Sequence, residues 1–576
     1  MKKNRLSLLR NEFYKQNIDG YIIPKNDEFF GEYAEPRNER LKHLTGFSGS
    51  AGQALILKKK AYLFVDGRYT LQAKKETNKN IKIIEIHKKS PKKIFRKIKE
   101  KLIIGFDPKI YSEFSLKNNF ESKNTTLIPL KKNLVDKIWI KRPKPKFKKF
   151  YSIKTKYAGK SYKYKINLIC KILKKRKLHN LLITAPENVA WLLNIRGNDN
   201  PFSPIPNCNA ILNSNKKMTL IVNKNKIDNE FRVKFSKILS YIDPLNIVSH
   251  LSKMNPKESF LIDKLTCSFF YKREISKKFM YLENIDPIYY LKAKKNNIEI
   301  KNMLKSHIYD GVALTKFIYW IKNNINRLKI NEISAQKKLE KFRKKNKNYL
   351  SPSFKTISGS GPNGAIVHYR ANSKTNRNIK INDIYLCDSG GQYHYGTTDV
   401  TRTISFSKHS KRIKNIFTRV LKGHIGVATY ILKKNTTGKQ IDVVARSALK
   451  KSSLDYAHGT GHGVGYFLNV HEGPQAISKF NEIKLEEGMI VSNEPGYYET
   501  DKFGIRIENL IFIKKINNKL KFENLTLAPI EKNLINYKLL NQKEKKYLNE
   551  YHKKIYLTLS PHLNENEKKW LGSFIN

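Results

Sequence analysis

The sequence predicts a mixed α/β protein in three parts, two related α/β domains followed by a longer α+β domain. Three observations predict it. The order amphipathic helix, strand, two further strands occurs twice, from Leu6 and again from about Lys160. Breaks rich in Pro and Lys separate the parts, around Pro129 and at Arg142-Pro143-Lys144-Pro145, and a further boundary falls at Tyr289 to Lys295, before a long helix. The last part then strings together short strands that carry or end in an acid or a histidine. The expected domains are 1–145, 153–292 and 293–576. With 576 residues the chain has room for about three or four domains, each with its own core.

In the first part, Leu6 to Gln16 has amphipathic helical spacing and Gly20 to Ile23 reads as a strand ended by Pro24. Ala51 to Leu57 and Ala61 to Val65 are two more expected strands, joined by a lysine-rich turn. Asp66-Gly67-Arg68-Tyr69 opens a helix, with Asp66 as its expected N-cap. The second part offers a helix from about Lys160 to Lys175, a strand at Asn180 to Thr184, and strands near Ala210 and at Met218 to Val222. The third opens on a helix with Leu304, Ile308, Val312, Leu314, Phe317 and Ile321 at helical spacing. It closes on an amphipathic helical stretch, Leu540 to Asn576, expected to pack on the same domain.

Composition excludes several classes. Lys and Arg total 113 against 48 for Asp and Glu, a formal charge of +65. Such an excess suggests a polyanionic partner, but it is mostly Lys and spread along the whole chain. No paired Cys/His finger, aromatic RNA-reading signature or basic helix running into heptads accompanies it, so no specific nucleic-acid role is expected. Cys170, Cys208, Cys267 and Cys387 are scattered without ligand spacing, which argues against a disulfide framework and for a reducing compartment. The N-terminus reaches Arg10 and Glu12 before any long apolar run, and no stretch approaches membrane-spanning length. A cytoplasmic protein without membrane attachment is expected.

The chemistry starts at Tyr385 to Ser405, read as a hairpin with Asp388 ending one arm and Asp399 opening the other. Two acids flanking one turn are also ordinary turn chemistry. If they converge, their repulsion calls for a cation or a proton between them. Ser353 to Tyr369 reads as strand, Gly/Pro turn and second strand, with His368 near the end of the second. His458 and His462 are four apart, but Gly459, Gly461 and Gly463 disfavour a helix by about 1 kcal/mol each, so an extended strand is expected. Glu494 ends a strand stopped by Pro495-Gly496. From Phe503 to Ile513, alternation puts Ile505 and Ile507 on one face and Arg506 and Glu508 on the other; a plain salt bridge is the simple reading of that pair. Together Asp388, Asp399, His462, Glu494 and Glu508 offer more ligands than one ion needs. The set is oxygen-rich, which favours Mn²⁺ or a similar ion over structural zinc, and suits two ions about 3.5–4 Å apart sharing carboxylates.

The motifs DSGGQYHYGTTDVTRT (388–403), HGTGHGVGYFLNVHEGP (458–474), SNEPGYY (492–498) and GIRIEN (504–509) resemble those of the pita-bread metallopeptidases, specifically the Xaa-Pro aminopeptidase (aminopeptidase P) family. Gly46-Phe-Ser-Gly-Ser-Ala-Gly52, Val65-Asp-Gly-Arg-Tyr69 and Asn188-Val-Ala-Trp-Leu-Leu-Asn-Ile-Arg-Gly197 resemble the first and second domains of its long, three-domain cytosolic form. The resemblance implies two creatinase-like domains before a pita-bread catalytic domain. It implies Asp388 on one Mn²⁺, Asp399 and Glu508 bridging two, His462 and Glu494 on the other, and Glu494 as general base. It also implies His368 and His471 beside the scissile bond, His458 near the substrate proline, Arg68 reaching in from the first domain, and Tyr498 and Arg506 supporting the ligands. The implied reaction is attack by a hydroxide bridging two Mn²⁺, or other divalent ions, on the carbonyl preceding proline. It releases the N-terminal residue of the peptide, and a homodimer through the catalytic domain is the implied assembly. Prolidase, restricted to dipeptides, and a non-catalytic peptide-binding module are the alternatives. The three-domain match opposes the first and the complete ligand set opposes the second.

Overall fold

Asn4 accepts a hydrogen bond from the Leu6 N–H and so opens helix α1 (Arg5–Lys15), which buries Leu6, Leu9 and Phe13 on one face. The computed structural model describes residues 4–86 and 88–575. Its contacts divide the chain into two units, residues 1–289 and 290–576.

The N-terminal unit holds two six-stranded sheets. In the first, β1 (Gly20–Pro24), β2 (Gln53–Leu57), β3 (Ala61–Val65), β4 (Lys82–Glu85), β5 (Leu102–Phe106) and β6 (Thr125–Pro129) run in the order β4-β3-β2-β1-β5-β6. After helix α2 (Tyr162–Lys175), the second contains β7 (Asn180–Ile183), β8 (Asn209–Asn213), β9 (Met218–Ile221), β10 (Leu239–Ile242), β11 (Ser259–Asp263) and β12 (Met280–Asn284). Its order is β10-β9-β8-β7-β11-β12. Each sheet begins with two antiparallel pairings, β1 to β2 to β3 and β7 to β8 to β9, and all its other pairings are parallel. The repeated element order is thus matched by repeated topology. The central strands β1 and β7 are buried along their whole length, as strands covered on both faces must be.

One local expectation fails here. The helix after β3 starts at Thr70, not beside Asp66. Asp66 instead closes a turn, accepting from the Arg68 N–H at 3.0 Å and pairing with the Arg68 guanidinium at 2.8 Å, and those bonds occupy the carboxylate that would have capped a helix.

The C-terminal unit opens on α3 (Asn297–Asn324), started by a reciprocal cap between Asn296 and Glu299 worth about 1 kcal/mol. Helix α4 (Glu332–Lys344) follows. Three sheets then carry the chemistry. β13 (Ile357–Ser360), β14 (Ile384–Ser389) and β15 (Val400–Ser405) form an antiparallel three-stranded sheet. A six-stranded sheet contains β16 (Ile431–Leu432), β17 (Gly461–Gly463), β18 (Glu472–Ile477), β19 (Ile490–Asn493), β22 (Asn509–Ile516) and β23 (Lys519–Asn524), in the order β16-β23-β22-β19-β17-β18. Between them in sequence, β20 (Gly496–Glu499) and β21 (Phe503–Arg506) make a two-stranded ribbon. Helices α5 (Lys411–Ala428) and α6 (Gly438–Lys450) precede the segment that carries His458, His462 and His471.

Helix α7 (Gln542–Leu559), the longer of the two near the C-terminus, buries Leu548, Tyr551, Ile555 and Leu559 in one core with Ile416, Phe417, Val420 and Leu421 of α5. Full burial of each such aliphatic side chain stabilises by roughly 1.5–3 kcal/mol. All four cysteines are free and buried. Among the described residues no helix is long and apolar enough to cross a membrane.

Candidate metal centre

Five side chains, in or beside strands of the C-terminal unit, converge there. Asp388 lies inside β14, paired with Thr401 of β15, and Asp399 immediately precedes β15. The expected simple hairpin between them is more elaborate. Residues 391–393 and 396–397 leave the sheet and form a separate small one with Tyr349–Pro352, so the two acids meet through the β14–β15 ladder rather than across a tight turn.

Phe503 to Ile513 is likewise not one strand. The chain leaves the six-stranded sheet after Asn493, enters the ribbon at Gly496, leaves it after Arg506 and returns at Asn509. Asn493 pairs with Asn509 and Gly496 with Arg506, so both strands change sheets at the same level. Glu494 and Glu508 sit in those two gaps. With no ladder partner there, the Glu494 N–H donates to Thr460 O at 2.8 Å and the Glu508 N–H to Thr401 O at 3.2 Å, which fixes the backbone of both.

His462 is in β17, extended as its glycines predict. A Cβ on Gly461 would stand 1.9 Å from Ser492 O, and one on Gly463 2.1 Å from Glu472 O, so only glycine lets the neighbouring strands approach His462 this closely. His368 departs from expectation. Gly361–Ala365 is a 3₁₀ turn and His368 follows in a turn, not on a second strand. The proline and glycines of 361–364 favour the tight turn over continued pairing.

The side chains form a buried floor and a half-exposed rim. Asp388, Asp399, Glu508 and Arg506 are buried; His462, Glu494, His471, His458, Tyr498 and His368 are partly exposed. Ligand atoms of Asp388, Asp399 and Glu508 all lie within 4.8 Å of one another, as do those of His462, Glu494 and Glu508, and those of Asp399, His462 and His471. His462 Nε2 is 3.5 Å from Asp399 Oδ2 and 3.6 Å from Glu494 Oε1, while the rings of His462 and His471 stand at 90° with centroids 4.4 Å apart. Arg506 Nη2 is 2.6 Å from Asp388 Oδ2, Arg506 Nη1 donates to Tyr498 OH at 2.6 Å, and Tyr498 OH is 2.8 Å from His458 Nε2. Arg68 belongs to the N-terminal unit, where Asp66 holds its guanidinium.

Electrostatics say what this cluster wants. Burial pushes the Asp388 carboxyl up to about 7; Arg506 opposes the rise and Asp399 and Glu494 add to it. Burial, then Asp399, Glu494 and Asp388, raise Glu508 well above the carboxylate range. Burial lowers the His462 imidazole, but Asp399 and Glu494 outweigh it and hold it up at about 9. Asp388 Oδ1 and Asp399 Oδ1 are buried with no hydrogen-bond partner among the described residues. Four carboxylates against one guanidinium, with acceptor atoms left unmatched, fit divalent cations and not a further hydrogen-bond donor network. Two overlapping ligand groups that share Glu508 fit a pair of ions.

Some supporting residues were not foreseen. Thr401 Oγ1 donates to Glu508 Oε2 at 2.7 Å and accepts from Arg506 Nε at 3.1 Å. Ser492 Oγ accepts from the His462 N–H at 2.9 Å and donates to Glu494 Oε1 at 3.1 Å. Both lie on strands that carry or adjoin the acids and His462; Ser492 follows an apolar run, whereas Thr401 sits in the mixed run Val400–Ser405 and left no distinct signal.

Comparison with known proteins finds likeness along nearly the whole chain. Residues 301–515 match the model of metallopeptidase family M24 and 518–573 that of the C-terminal region of peptidase M24. Residues 5–138 and 141–299 each match a creatinase/prolidase N-terminal domain. The chain is 37% identical to a probable Xaa-Pro aminopeptidase P of Laccaria bicolor, covering 98% of this chain and 92% of that protein. It is equally identical to one of Paracoccidioides brasiliensis, covering 98% of both. The structure is similar to the crystal structure of X-prolyl aminopeptidase from Caenorhabditis elegans, described as a cytosolic enzyme with a di-nuclear active site, with a TM-score of 0.93, 29% identity and 99% of each chain covered. With its ligand cluster built on the segment that matches the catalytic model, and with relatives of this identity over nearly its full length, the chain belongs to metallopeptidase family M24.

Proposed function

We propose that this chain is a metal-dependent aminopeptidase that releases the N-terminal residue from peptides with proline in the second position. The observation that carries the reading is the convergence of Asp388, Asp399, His462, Glu494 and Glu508 on one point, with His471 at its edge. Asp388 would hold one ion, His462 and Glu494 the other, with Asp399 and Glu508 placed to serve both. The oxygen-rich set suits Mn²⁺, and other divalent ions are compatible with it. When bound, the ions lower the pKa of a water toward neutrality and polarise the scissile carbonyl.

The protein's own groups do the rest. Glu494 accepts the water proton at its carboxylate and returns it to the prolyl nitrogen as that bond breaks. Ser492 Oγ keeps Glu494 Oε1 in place for both transfers. His471, set edge-on to His462, donates to the oxyanion of the tetrahedral species, and His368 holds the reacting peptide. The bond before proline is a tertiary amide with no N–H for a peptidase to hold, so recognition falls on the shape of the ring. His458 and Tyr498, linked by their 2.8 Å hydrogen bond, frame that side. We place the enzyme in the cytoplasm, as the nematode relative is described, and in a homodimer built through the C-terminal unit.

The test is hydrolysis of Arg-Pro-Pro and of Gly-Pro by purified protein, with Mn²⁺ or with chelator, beside Asp399→Ala. Metal-dependent release of arginine from the tripeptide, lost in the variant, is the expected result. Cleavage of Gly-Pro alone would make the protein a dipeptidase instead. Failure on both substrates with metal demonstrably bound would sink the enzymatic reading.

A further inference from the structure

Arg402 is buried to 2% exposure and has no carboxylate partner among the described residues. Its guanidinium is held entirely by neutral acceptors. Nη1 donates to the backbone oxygens of Thr401 at 2.8 Å and Glu508 at 2.7 Å, and Nε to Pro529 O at 3.0 Å. Nη2 donates to Asn509 Oδ1 at 2.8 Å, Ala528 O at 2.7 Å and Tyr551 OH at 3.1 Å. A buried cation with no ion-pairing carboxylate in contact is expensive unless it is fully hydrogen-bonded, and here its contacts run to Thr401 on its own strand, to Glu508 and Asn509, to the Ala528–Pro529 segment and to Tyr551 of α7.

Tyr551 lies on α7 and is itself buried. Its hydroxyl accepts from Arg402 and shares its proton among Thr526 O, Ala528 O and Asn509 Oδ1, at 3.1–3.3 Å. A second connection runs alongside it. Tyr547, one turn earlier on α7, accepts at its hydroxyl from Asn524 Nδ2 at 2.8 Å, and Asn524 Oδ1 accepts from Asn509 Nδ2 at 2.9 Å. Asn509, which is fully buried, therefore has both ends of its amide tied back to α7, one directly and one through Asn524. Glu508 is its chain neighbour, in the short stretch between β21 and β22 where no ladder bond holds the backbone.

We propose that α7 is a working part of the metal centre: through the hydroxyls of Tyr551 and Tyr547 it locks Arg402 and Asn509, and these position the Glu508 carboxylate. The inference rests on the reading of Glu508 as a metal ligand. The four side chains, Tyr551, Tyr547, Arg402 and Asn509, touch neither metal nor substrate and are positioning residues. Thr401 ties the lock to the carboxylate itself, because its carbonyl accepts from Arg402 while its hydroxyl donates to Glu508 Oε2. Outer hydrogen bonds of this kind tune metal affinity by about 10–100-fold when they contact the ligand directly.

The experiment uses the full-length protein, stripped of metal and titrated with Mn²⁺ by calorimetry, with thermal unfolding recorded in the metal-free and loaded forms. Tyr551→Phe removes the hydroxyl and keeps the packing. Ile555→Val loosens the same helix without touching the lock. The expected result is Mn²⁺ affinity reduced about 3-fold or more in Tyr551→Phe and about 10-fold in Arg402→Lys, with a smaller metal-induced rise in Tm, while Ile555→Val matches wild type in both. If Tyr551→Phe and Ile555→Val lower metal-free Tm alike and leave Mn²⁺ affinity unchanged, α7 is packing only and the inference falls. If wild type takes up no Mn²⁺, the metal-centre reading fails first and the inference with it. Should Arg402→Lys not fold, the Tyr551→Phe and Ile555→Val comparison still decides.

Discussion

Arg506 Nη2 lies 2.6 Å from Asp388 Oδ2, and the same guanidinium donates to Thr401 Oγ1 and Tyr498 OH. One planar fork therefore spaces a carboxylate of the proposed metal set, the hydroxyl that steadies Glu508 and the tyrosine beside His458. Lysine keeps the charge but has no such geometry. Arg506→Lys is expected to lower kcat/KM by about 10–100-fold with an unchanged circular dichroism spectrum. Steady-state kinetics on Arg-Pro-Pro at saturating Mn²⁺ checks it.

Metal binding should be visible as stability. Binding to the folded state alone adds about 2.7 kcal/mol at a hundredfold excess over Kd. Chelator should then lower the Tm of the C-terminal unit by about 5 °C, and Mn²⁺ should restore it. In Asp399→Ala, which removes a carboxylate from two of the three ligand groups, the metal-induced shift should largely disappear. An equal shift in the variant would show that the ions bind elsewhere.

The glycines around His462 make a steric prediction. Gly461→Ala would set a methyl 1.9 Å from Ser492 O, which neither strand can yield without opening the β17–β19 contact. A loss of about 1–3 kcal/mol in urea unfolding and a fall in Mn²⁺ affinity are expected together. Gly473→Ala is the control, since a Cβ there meets nothing within 4 Å.

Glu472 predicts a pH dependence. It is buried between Lys292 and Lys295, at 3.1 Å and 3.0 Å. Burial alone would raise its pKa, but the two ammonium groups outweigh burial and hold it below the ordinary glutamate value. A depressed folded pKa contributes stability that is present above the unfolded value, about 4.3, and is lost as pH falls through the folded one. Wild type should therefore lose stability in acid below about pH 4.3. Glu472→Gln leaves two buried ammonium groups without a counter-ion, so it should cost about 3–5 kcal/mol at pH 7 and flatten the acid limb. Urea unfolding of both proteins at about pH 7, 5, 4 and 3 measures this.

How far the molecule is legible without coordinates depends on the range of the forces involved. Period-2 and period-3.6 patterns depend on near neighbours, so Gly20 to Pro24, Ala61 to Val65 and the helix from Asn297 were readable within a few residues of their observed limits. Where neighbouring residues permit two structures, reading failed. Phe503 to Ile513 alternates cleanly enough to pass for one strand, yet it splits at Ile507 and Glu508 because its first half pairs with Gly496–Glu499 and its second with Ile490–Asn493. Asp66 would have capped a helix had its carboxylate not paired with Arg68.

By itself, the sequence determined the residue types of the centre, an oxygen-rich set with one imidazole, and the glycines that close approach around His462 demands. It determined the repeated element order of the N-terminal half as well, because each element is specified by its own short-range pattern. Only the tertiary structure decided that Glu494 and Glu508 would face each other, since that depends on two strands changing sheets at one level. It also decided that Arg402 and Tyr551, 149 positions apart, would meet behind Glu508. A buried guanidinium needs acceptors on all its edges, and in this fold they come from chain segments brought together only when β15, β22 and α7 have packed.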